Sequence, residues 1–410
     1  MIRGVRNEFT RDPVFGLWML TLGFMLVIGL VSAVLVLLNG LAITNLSNSV
    51  PWGLWITIDL SSIALGAGAF SLSALVYLLR IDRLRPIVRI AVFTGLIGYT
   101  GAMLALFMDI GRPERFWHPT VYWNIHSVLW EITMCVMLYT TVLVTEFAPI
   151  VLESKYMRKR FPNGPKIGHF IHRFAPFAAI LGLALSLLHQ SSLGATYGVL
   201  VARPIWFKPS LPIMFILSAV GAGATFVLGV TVLYENFIRQ RQINTKTRTA
   251  LSLFAGLTLL AYLYLTLWDY LATNYYSHLP ARVESIDLLN RFAPYGTSFW
   301  LVEVLLGLIV PAIILLTPVL RRRDGAVIFA MFLVIAGIIV NRWNVTLSGL
   351  IIPMDWSPGT AEVFGVNSYR PAWVEWGVGF GVVAYIMVAY TLGLRYLPFF
   401  QKHDEEHDAH

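Results

Sequence analysis

Cysteine and charged side chains are both scarce in this sequence of 410 residues. Cys135 is the single cysteine, and only 13% of the residues are charged. One cysteine excludes an internal disulfide, a cysteine-ligated iron–sulfur cluster and a structural zinc site, and no metal-ligand set is predicted. Soluble domains carry about 25% charged residues, so the low charge argues against one. The N-terminus also lacks the small-residue cleavage pattern of a signal peptide, which predicts that the first apolar run is retained as a helix.

Long apolar runs dominate what is present, since 57% of the residues are hydrophobic. Each run has at least ~20 residues, enough to cross ~30 Å of hydrocarbon as a helix. The sequence therefore predicts an all-α polytopic membrane protein, with one domain over 1–400 and a disordered polar tail over 401–410. Ten helices are predicted, numbered 1 to 10 in chain order, over residues 16–44, 52–79, 87–108, 122–150, 175–201, 210–237, 249–272, 295–319, 326–350 and 372–398.

Basic residues are distributed unevenly between the two sides of this arrangement. Of the 30 Lys and Arg residues, 22 fall at the termini and in loops on one side, seven fall on the other side, and Arg342 lies inside helix 9. The positive-inside rule predicts cytoplasmic termini and therefore a cell-membrane protein with both ends inside. Because the basic loops face anionic lipid headgroups, the net charge of +8 predicts a lipid partner and no nucleic acid.

A few ionisable residues interrupt the apolar helices at a similar depth, nearer the predicted outer face. A charged group at the bilayer centre costs about 2.5–3.5 kcal/mol or more, so such residues face the bundle interior and mark function. Together they predict a polar chamber that opens outward, with Glu303 and Arg342 as a structural pair. The five residues lie on helices 2, 4, 5, 8 and 9, and they are Asp59, Glu131, His189, Glu303 and Arg342.

The helices also show a weak internal repeat. Helices 4 and 8 begin with Ser and Trp ahead of a carboxylate, and helices 5 and 9 carry a basic residue near their outer ends. This pattern predicts two four-helix bundles, helices 2–5 over about 51–201 and helices 6–9 over about 210–350, flanked by helices 1 and 10. A chance match is the alternative. The first bundle has more polar residues, so the active pocket is predicted there.

Four motifs carry a resemblance to a known family. They read Pro51-Trp-Gly-Leu-Trp-Ile-Thr-Ile-Asp59, Asp109-Ile-Gly-Arg-Pro-Glu-Arg-Phe116, Ser127-Val-Leu-Trp-Glu131 and His189-Gln-Ser-Ser-Leu-Gly194. The sequence resembles the NrfD/PsrC-type membrane subunits of respiratory complexes, and most of all the ten-helix branch with the hydrogenase-2 membrane subunit and DsrP. The resemblance also implies two four-helix bundles.

The same resemblance implies a quinone-reactive subunit without its own heme or iron–sulfur cluster. Menaquinone or ubiquinone would be its bound substrate. Its implied partners are a periplasmic four-cluster ferredoxin-like iron–sulfur subunit and further catalytic or cytochrome subunits, in sulfur or hydrogen metabolism.

Quinone chemistry gives the polar residues specific predicted roles, because a quinone needs an apolar slot, partners for two oxygens and groups that exchange protons. His189 and Asp59 are predicted to contact the oxygens, and Glu131 to relay protons. Trp55 and Trp130 are predicted to line the ring slot. Three further pocket residues are predicted: His126, Gln190 and Ser127. His126 either guards the exit route or is an ordinary interfacial histidine.

The loop after helix 3 is predicted to lie above this pocket. It contains Arg112, Glu114 and Arg115, which would dock the iron–sulfur subunit. The alternative is a turn held by an ion pair between Asp109 and Arg112, and both roles are compatible.

Three other classes of membrane protein have similar features. A b-type cytochrome is disfavoured because His126 and His189 differ in depth by ~9 Å, and a reduced-minus-oxidised spectrum would detect heme. A secondary transporter would favour broken helices, whereas Gly66-Ala-Gly68 and Gly221-Ala-Gly223 favour close packing. An anchor that binds a partner but no quinone is the third. The sequence leaves the direction of electron flow and any ion pumping open.

Overall fold

Ten long apolar helices make up most of the described part of the chain. The computed structural model describes residues 13–240, 243–276, 280–291, 295–351, 354–355, 363–364 and 368–399. Ten of its helices are long and apolar enough to cross a membrane, which confirms the predicted all-α polytopic architecture. The predicted tail over 401–410 lies outside the described residues.

The spanning helices are labelled α1 to α10 and agree with the predicted runs in number and order. Two of them are composite. In α2 two helical segments meet at Ala67, and α8 contains a long π-helix. Their bounds are α1 Pro13–Asn39, α2 Leu54–Gly66 with Gly68–Tyr77, α3 Val88–Asp109, α4 Val128–Leu152, α5 Ala175–Gly198, α6 Leu211–Leu233, α7 Thr245–Tyr276, α8 Tyr295–Thr297 with the π-helix Ser298–Ile309 and Val310–Leu316, α9 Asp324–Ile351 and α10 Trp373–Tyr396.

Short elements connect the spanning helices. The 3₁₀ turns are Gly40–Ile43, Asp82–Ile87 and Pro113–Arg115, and a π-helix, Tyr234–Arg239, extends α6. The short helices are His118–Val121, Lys155–Arg160, Gly164–His172 and Pro280–Arg291. Two strands of two residues, Met354–Asp355 and Val363–Phe364, pair antiparallel between α9 and α10.

Backbone hydrogen bonding explains why the apolar runs are helical. Hydrocarbon offers no partner for a free N–H or C=O group, so a spanning segment must satisfy its own backbone. The helix starts also follow local rules: the Ser127 Oγ accepts from the backbone N–H of Trp130 and caps α4, and proline occupies the first turn of α5 and of α6. Proline suits that turn because the first N–H groups have no partner within the helix.

The helices contact one another in two sets. Within the first set α2 and α4 each contact α3 and α5, and within the second α6 and α8 each contact α7 and α9. The sets meet where α6 contacts α2 and α5, while α1 packs along α10 and α10 contacts α3. These relations support the predicted division into two four-helix bundles, which stays a prediction. We refer to α2–α5 as the N-terminal half and to α6–α9 as the C-terminal half.

Glycines set the distance between the two halves. A Cβ atom on Gly68 of α2 would lie 2.7 Å from the carbonyl oxygen of Gly223 on α6. A side chain at that position would therefore separate the helices. The interpretation of these glycines as packing residues is confirmed.

Candidate functional site

The side chain of His189 lies completely buried among α3, α4 and α5. Its Nδ1 atom is 3.0 Å from the phenol oxygen of Tyr99 on α3, and the Tyr99 ring meets the ring of Tyr139 on α4 edge to face, with 4.7 Å between their centroids. The Nε2 atom of His189 and the amide nitrogen of Gln190 are buried without a hydrogen-bond partner among the described residues. Two buried nitrogens, on consecutive residues of α5, thus have no partner among the described residues and are available to a ligand oxygen.

Glu131 contacts the next turn of the same α5 face. The Ser192 hydroxyl donates a 2.7 Å hydrogen bond to Glu131 Oε1, and Ser192 follows His189 by three residues, about one helical turn. Glu131 is half-buried, whereas Ser192 and His189 are buried. The structure therefore brings together two predicted residues, Glu131 and His189, through Ser192, and adds Tyr99, which the sequence did not indicate. We call these four residues the His189 network.

Asp59 lies on α2, buried to 5% exposure. It is within electrostatic range of Tyr99 and of Asp109 at the end of α3. Asp59 is thus an acidic group within electrostatic range of the His189 network, through Tyr99. A histidine, a phenol and carboxyl groups are the side chains that exchange protons in a buried site.

The two predicted ring-slot tryptophans are engaged elsewhere. The Trp55 indole donates to the backbone carbonyl of Glu375 at 3.0 Å and packs with residues of α1, α3 and α10. The Trp130 indole donates to the backbone carbonyl of Pro119 at 2.8 Å and faces Trp123. These contacts favour a structural role for both indoles, and their assignment to the ring slot stays a prediction.

Two other predicted pocket residues also lie apart from the His189 network. Ser127 caps α4 through a 3.3 Å hydrogen bond from the Trp130 backbone N–H. His126 is exposed in the connection just before α4. These positions favour a structural role for Ser127 and an interfacial position for His126.

The loop after α3 is exposed and is shaped by its backbone. Gly111 adopts φ +71°, a conformation that glycine reaches without strain. Within the described part of the chain, Arg115 and Glu114 are 3.8 Å apart, whereas Asp109 and Arg112 form no ion pair. The alternative of a turn held by an Asp109–Arg112 pair is therefore wrong. Three exposed charged residues are left on the surface.

Glu375 forms a second buried polar centre, at the start of α10. Its Oε2 accepts from the backbone N–H groups of Asn45 at 3.0 Å and Ala372 at 2.7 Å. Its Oε1 accepts from the Tyr369 hydroxyl, which in turn accepts from the backbone N–H of Leu54. Burial, together with the Glu375 carboxylate, raises the pKa of Tyr369, so this phenol stays a neutral donor. An acidic residue in the first turn of a helix is a capping signal that the sequence contains.

In the C-terminal half, the predicted Glu303–Arg342 pair is joined through a third residue. The Asn341 amide donates to Glu303 Oε1 at 2.7 Å, and the Asn341 carbonyl oxygen accepts from Arg342 Nη1 at 2.9 Å. Arg342 Nη2 donates to the Ser218 hydroxyl at 2.7 Å. The sequence identified the two charged residues but missed Asn341, although the polar run Asn341-Arg-Trp-Asn344 stands out in an apolar helix.

A cavity of about 160 Å³ lies beside these residues. It extends from the loop before α6 down to Glu303 and Arg342. The sequence predicted the active pocket in the N-terminal half, whereas this cavity is in the C-terminal half. None of the residues of the His189 network lines this cavity.

The fold and its buried polar residues define a multi-pass integral membrane protein with a polar interior. Residues 42–354 match the model of the family described as polysulphide reductase, NrfD. The chain belongs to this family, and the resemblance seen in the four sequence motifs is confirmed.

Relatives match along nearly the whole chain. It is 36% identical over 398 residues to the "Menaquinone reductase, integral membrane subunit" of Nitratidesulfovibrio vulgaris, covering 95% of this chain and 93% of the relative. It is 28% identical to the "Probable Ni/Fe-hydrogenase 2 b-type cytochrome subunit" of Escherichia coli, covering 87% and 85%. It is 27% identical to the "Hdr-like menaquinol oxidoreductase integral membrane subunit" of Archaeoglobus fulgidus, covering 88% of each chain.

Proposed function

We propose that this protein is the quinone-reactive membrane subunit of a multi-subunit respiratory oxidoreductase. The observation that carries the proposal is the His189 network, in which one buried α5 face joins a phenol on α3 to a carboxyl group on α4. The names of the matched relatives support a quinone as the substrate and favour menaquinone.

The residues present fit a quinone. The unpartnered amide nitrogen of Gln190 can donate to a ring oxygen, and the unpartnered Nε2 of His189 can donate to or accept from one, depending on its tautomer. A quinone takes up or releases two electrons and two protons, so its site must also exchange protons. His189 and Asp59 would contact the quinone oxygens. Since Glu131 is the half-buried end of the network, it would connect these groups to the predicted outer face.

The remaining parts of the proposal concern the partners and the membrane. The exposed Arg112, Glu114 and Arg115 would dock a periplasmic iron–sulfur subunit, which would carry electrons between the quinone and further subunits in sulfur or hydrogen metabolism. The chain would lie in the cell inner membrane with both termini in the cytoplasm.

Replacement of His189 tests the quinone site. In a complex purified with this chain, His189→Ala should reduce naphthoquinol oxidation by about 10²–10⁴-fold, the contribution of a positioned acid or base. Subunit composition should be retained. The matched control is Ser191→Ala, because the Ser191 hydroxyl bonds only within its own helix. Full activity of His189→Ala in an intact complex would contradict the proposal.

The orientation is tested by labelling introduced cysteines. Cys135, the native cysteine, is buried, so an added cysteine on the surface supplies the reactive thiol. Ala202 is exposed in the loop between α5 and α6, and Lys159 is exposed in the short helix Lys155–Arg160 between α4 and α5, at the opposite end of the helices. In intact cells a membrane-impermeant maleimide should label Ala202→Cys and leave Lys159→Cys unlabelled until the cells are opened. The opposite pattern would reverse the topology.

A further inference from the structure

The cavity in the C-terminal half has apolar walls and a polar inner end. Aromatic rings from several elements line it, among them Trp206, Phe215, Tyr262 and Phe299. Glu303 and Arg342 stand at its inner end, and none of the His189 network residues lines it. It is thus a compartment separate from the proposed reaction site.

Its charged groups balance one another. The cavity lining contains two cations, Lys208 and Arg342, and two carboxylates, Asp269 and Glu303. Lys208 pairs with Asp269 at 2.6 Å, and Glu303 and Arg342 are linked by Asn341. Arg282, which is not among the lining residues, also pairs with Asp269, at 3.1 Å. Within the lining, two cations and two carboxylates leave no surplus charge for a phosphate or carboxylate ligand. The electrostatics therefore favour a neutral ligand.

Arg342 nevertheless retains a free donor. Its side chain is buried to 1% exposure, and its Nε–H has no hydrogen-bond partner among the described residues. Its guanidinium lies over the ring of Phe215, 3.9 Å from the centroid, in a cation–π contact. A buried donor without a partner costs free energy, so an acceptor oxygen on a bound ligand would satisfy it.

The local backbone is unusual at the same place. Glu303 lies in a π-helix of 12 residues, Ser298–Ile309. π-helical turns are rare and are frequent at functional sites. Asn341 and Asn344 hold both oxygens of Glu303, at 2.7 Å and 3.4 Å, so the carboxyl group is fixed in position at the inner end of the cavity.

We propose that this cavity is a second binding site, for a neutral aromatic headgroup with ring oxygens, the chemical class of the quinones. Its volume of about 160 Å³ is close to that of an engineered cavity of about 150 Å³ that binds benzene, so one six-membered ring fits. The rings of the wall would stack on the headgroup, and the Arg342 Nε–H would donate to one oxygen. The site stands independently of the His189 network.

Binding of a fluorescent quinone analogue, 2-heptyl-4-hydroxyquinoline N-oxide, tests the second site without measuring activity. Titration of the purified complex should show two equivalents bound per chain. Val345→Phe fills the cavity from α9 and should remove one equivalent. Arg342→Gln should weaken that equivalent on the order of tenfold or more. Ile339→Phe, a change on the exposed face of the same helix, should leave both equivalents.

The outcomes separate the two sites. Loss of one equivalent in Val345→Phe, together with retention of that same equivalent in His189→Ala, supports the cavity site. If the wild type binds one equivalent that Val345→Phe retains and His189→Ala removes, the cavity site is wrong and the reaction site stands. If the single equivalent is lost in Val345→Phe and retained in His189→Ala, the cavity binds the headgroup and the reaction site is misplaced.

Discussion

Glu131→Gln should lower quinone-coupled turnover by about 10²–10⁴-fold while the complex remains assembled. The amide keeps the shape of the carboxyl group, and its oxygen can still accept from the Ser192 hydroxyl, 2.7 Å away in the wild type. What is lost is the ability to take up and release a proton. Steady-state naphthoquinol oxidation at saturating quinol, with subunit content checked on a gel, measures the effect.

Comparison with Ser192→Ala separates the loss of proton exchange by Glu131 from a change in the position of its carboxyl group. That substitution removes the hydrogen bond to Glu131 but leaves the carboxyl group, so we expect a loss on the order of tenfold, equivalent to about 1.4 kcal/mol. Asp59→Asn should resemble Glu131→Gln, because both changes remove a carboxyl group and keep the volume. An Asp59→Asn or Glu131→Gln complex with wild-type turnover would exclude that carboxyl group from the proton path.

Glu375→Ala should destabilise the protein by about 3–5 kcal/mol. The change leaves the N–H groups of Asn45 and Ala372 and the Tyr369 hydroxyl without their acceptor. An unsatisfied buried donor costs about 1–3 kcal/mol, and these part-buried donors lie near the lower end of that range. The temperature at which half of the detergent-solubilised protein stays monodisperse should fall on the order of 5 °C.

Glu375→Gln keeps one acceptor oxygen and should show a smaller loss than Glu375→Ala. The two variants should differ little from each other in quinone binding, because Glu375 belongs to the start of α10 and not to the His189 network. Unchanged thermal stability of Glu375→Ala would show that the three donors find other partners and that the network does not hold α10 to the start of α2.

The transmembrane architecture could be predicted from the sequence because hydrocarbon imposes one simple rule, that long apolar runs form helices. The charged residues within those runs could also be identified from the sequence. A charge in the bilayer costs free energy, so such residues are rare. Asn341 stands beside Arg342 in a polar run, but the run does not show that its amide links Arg342 to Glu303. Ser218 is uncharged and occurs among many similar residues, so nothing in the sequence marked it as a partner of Arg342. Tyr99 was hidden for the same reason.

The two tryptophans show a different limit of prediction from the sequence. Trp55 and Trp130 stand within one turn of Asp59 and Glu131 in the chain, which suggested that they share a pocket. An indole N–H seeks an acceptor when it is buried, and in both cases that acceptor is a backbone carbonyl of a distant segment, at Glu375 and Pro119. Contacts between distant segments decide which way a side chain points. The spacing of residues along the chain does not reveal these contacts.

The central claim is that quinone chemistry occurs at the His189 network and not at the Glu303–Arg342 end of the C-terminal cavity. Stopped-flow measurement of electron transfer from naphthoquinol into the intact complex tests it, with His189→Ala and Glu303→Gln compared in parallel. The account predicts that His189→Ala abolishes the fast phase and that Glu303→Gln retains it. Loss of the fast phase in Glu303→Gln, with His189→Ala unaffected, would contradict the account and place the reaction in the C-terminal half.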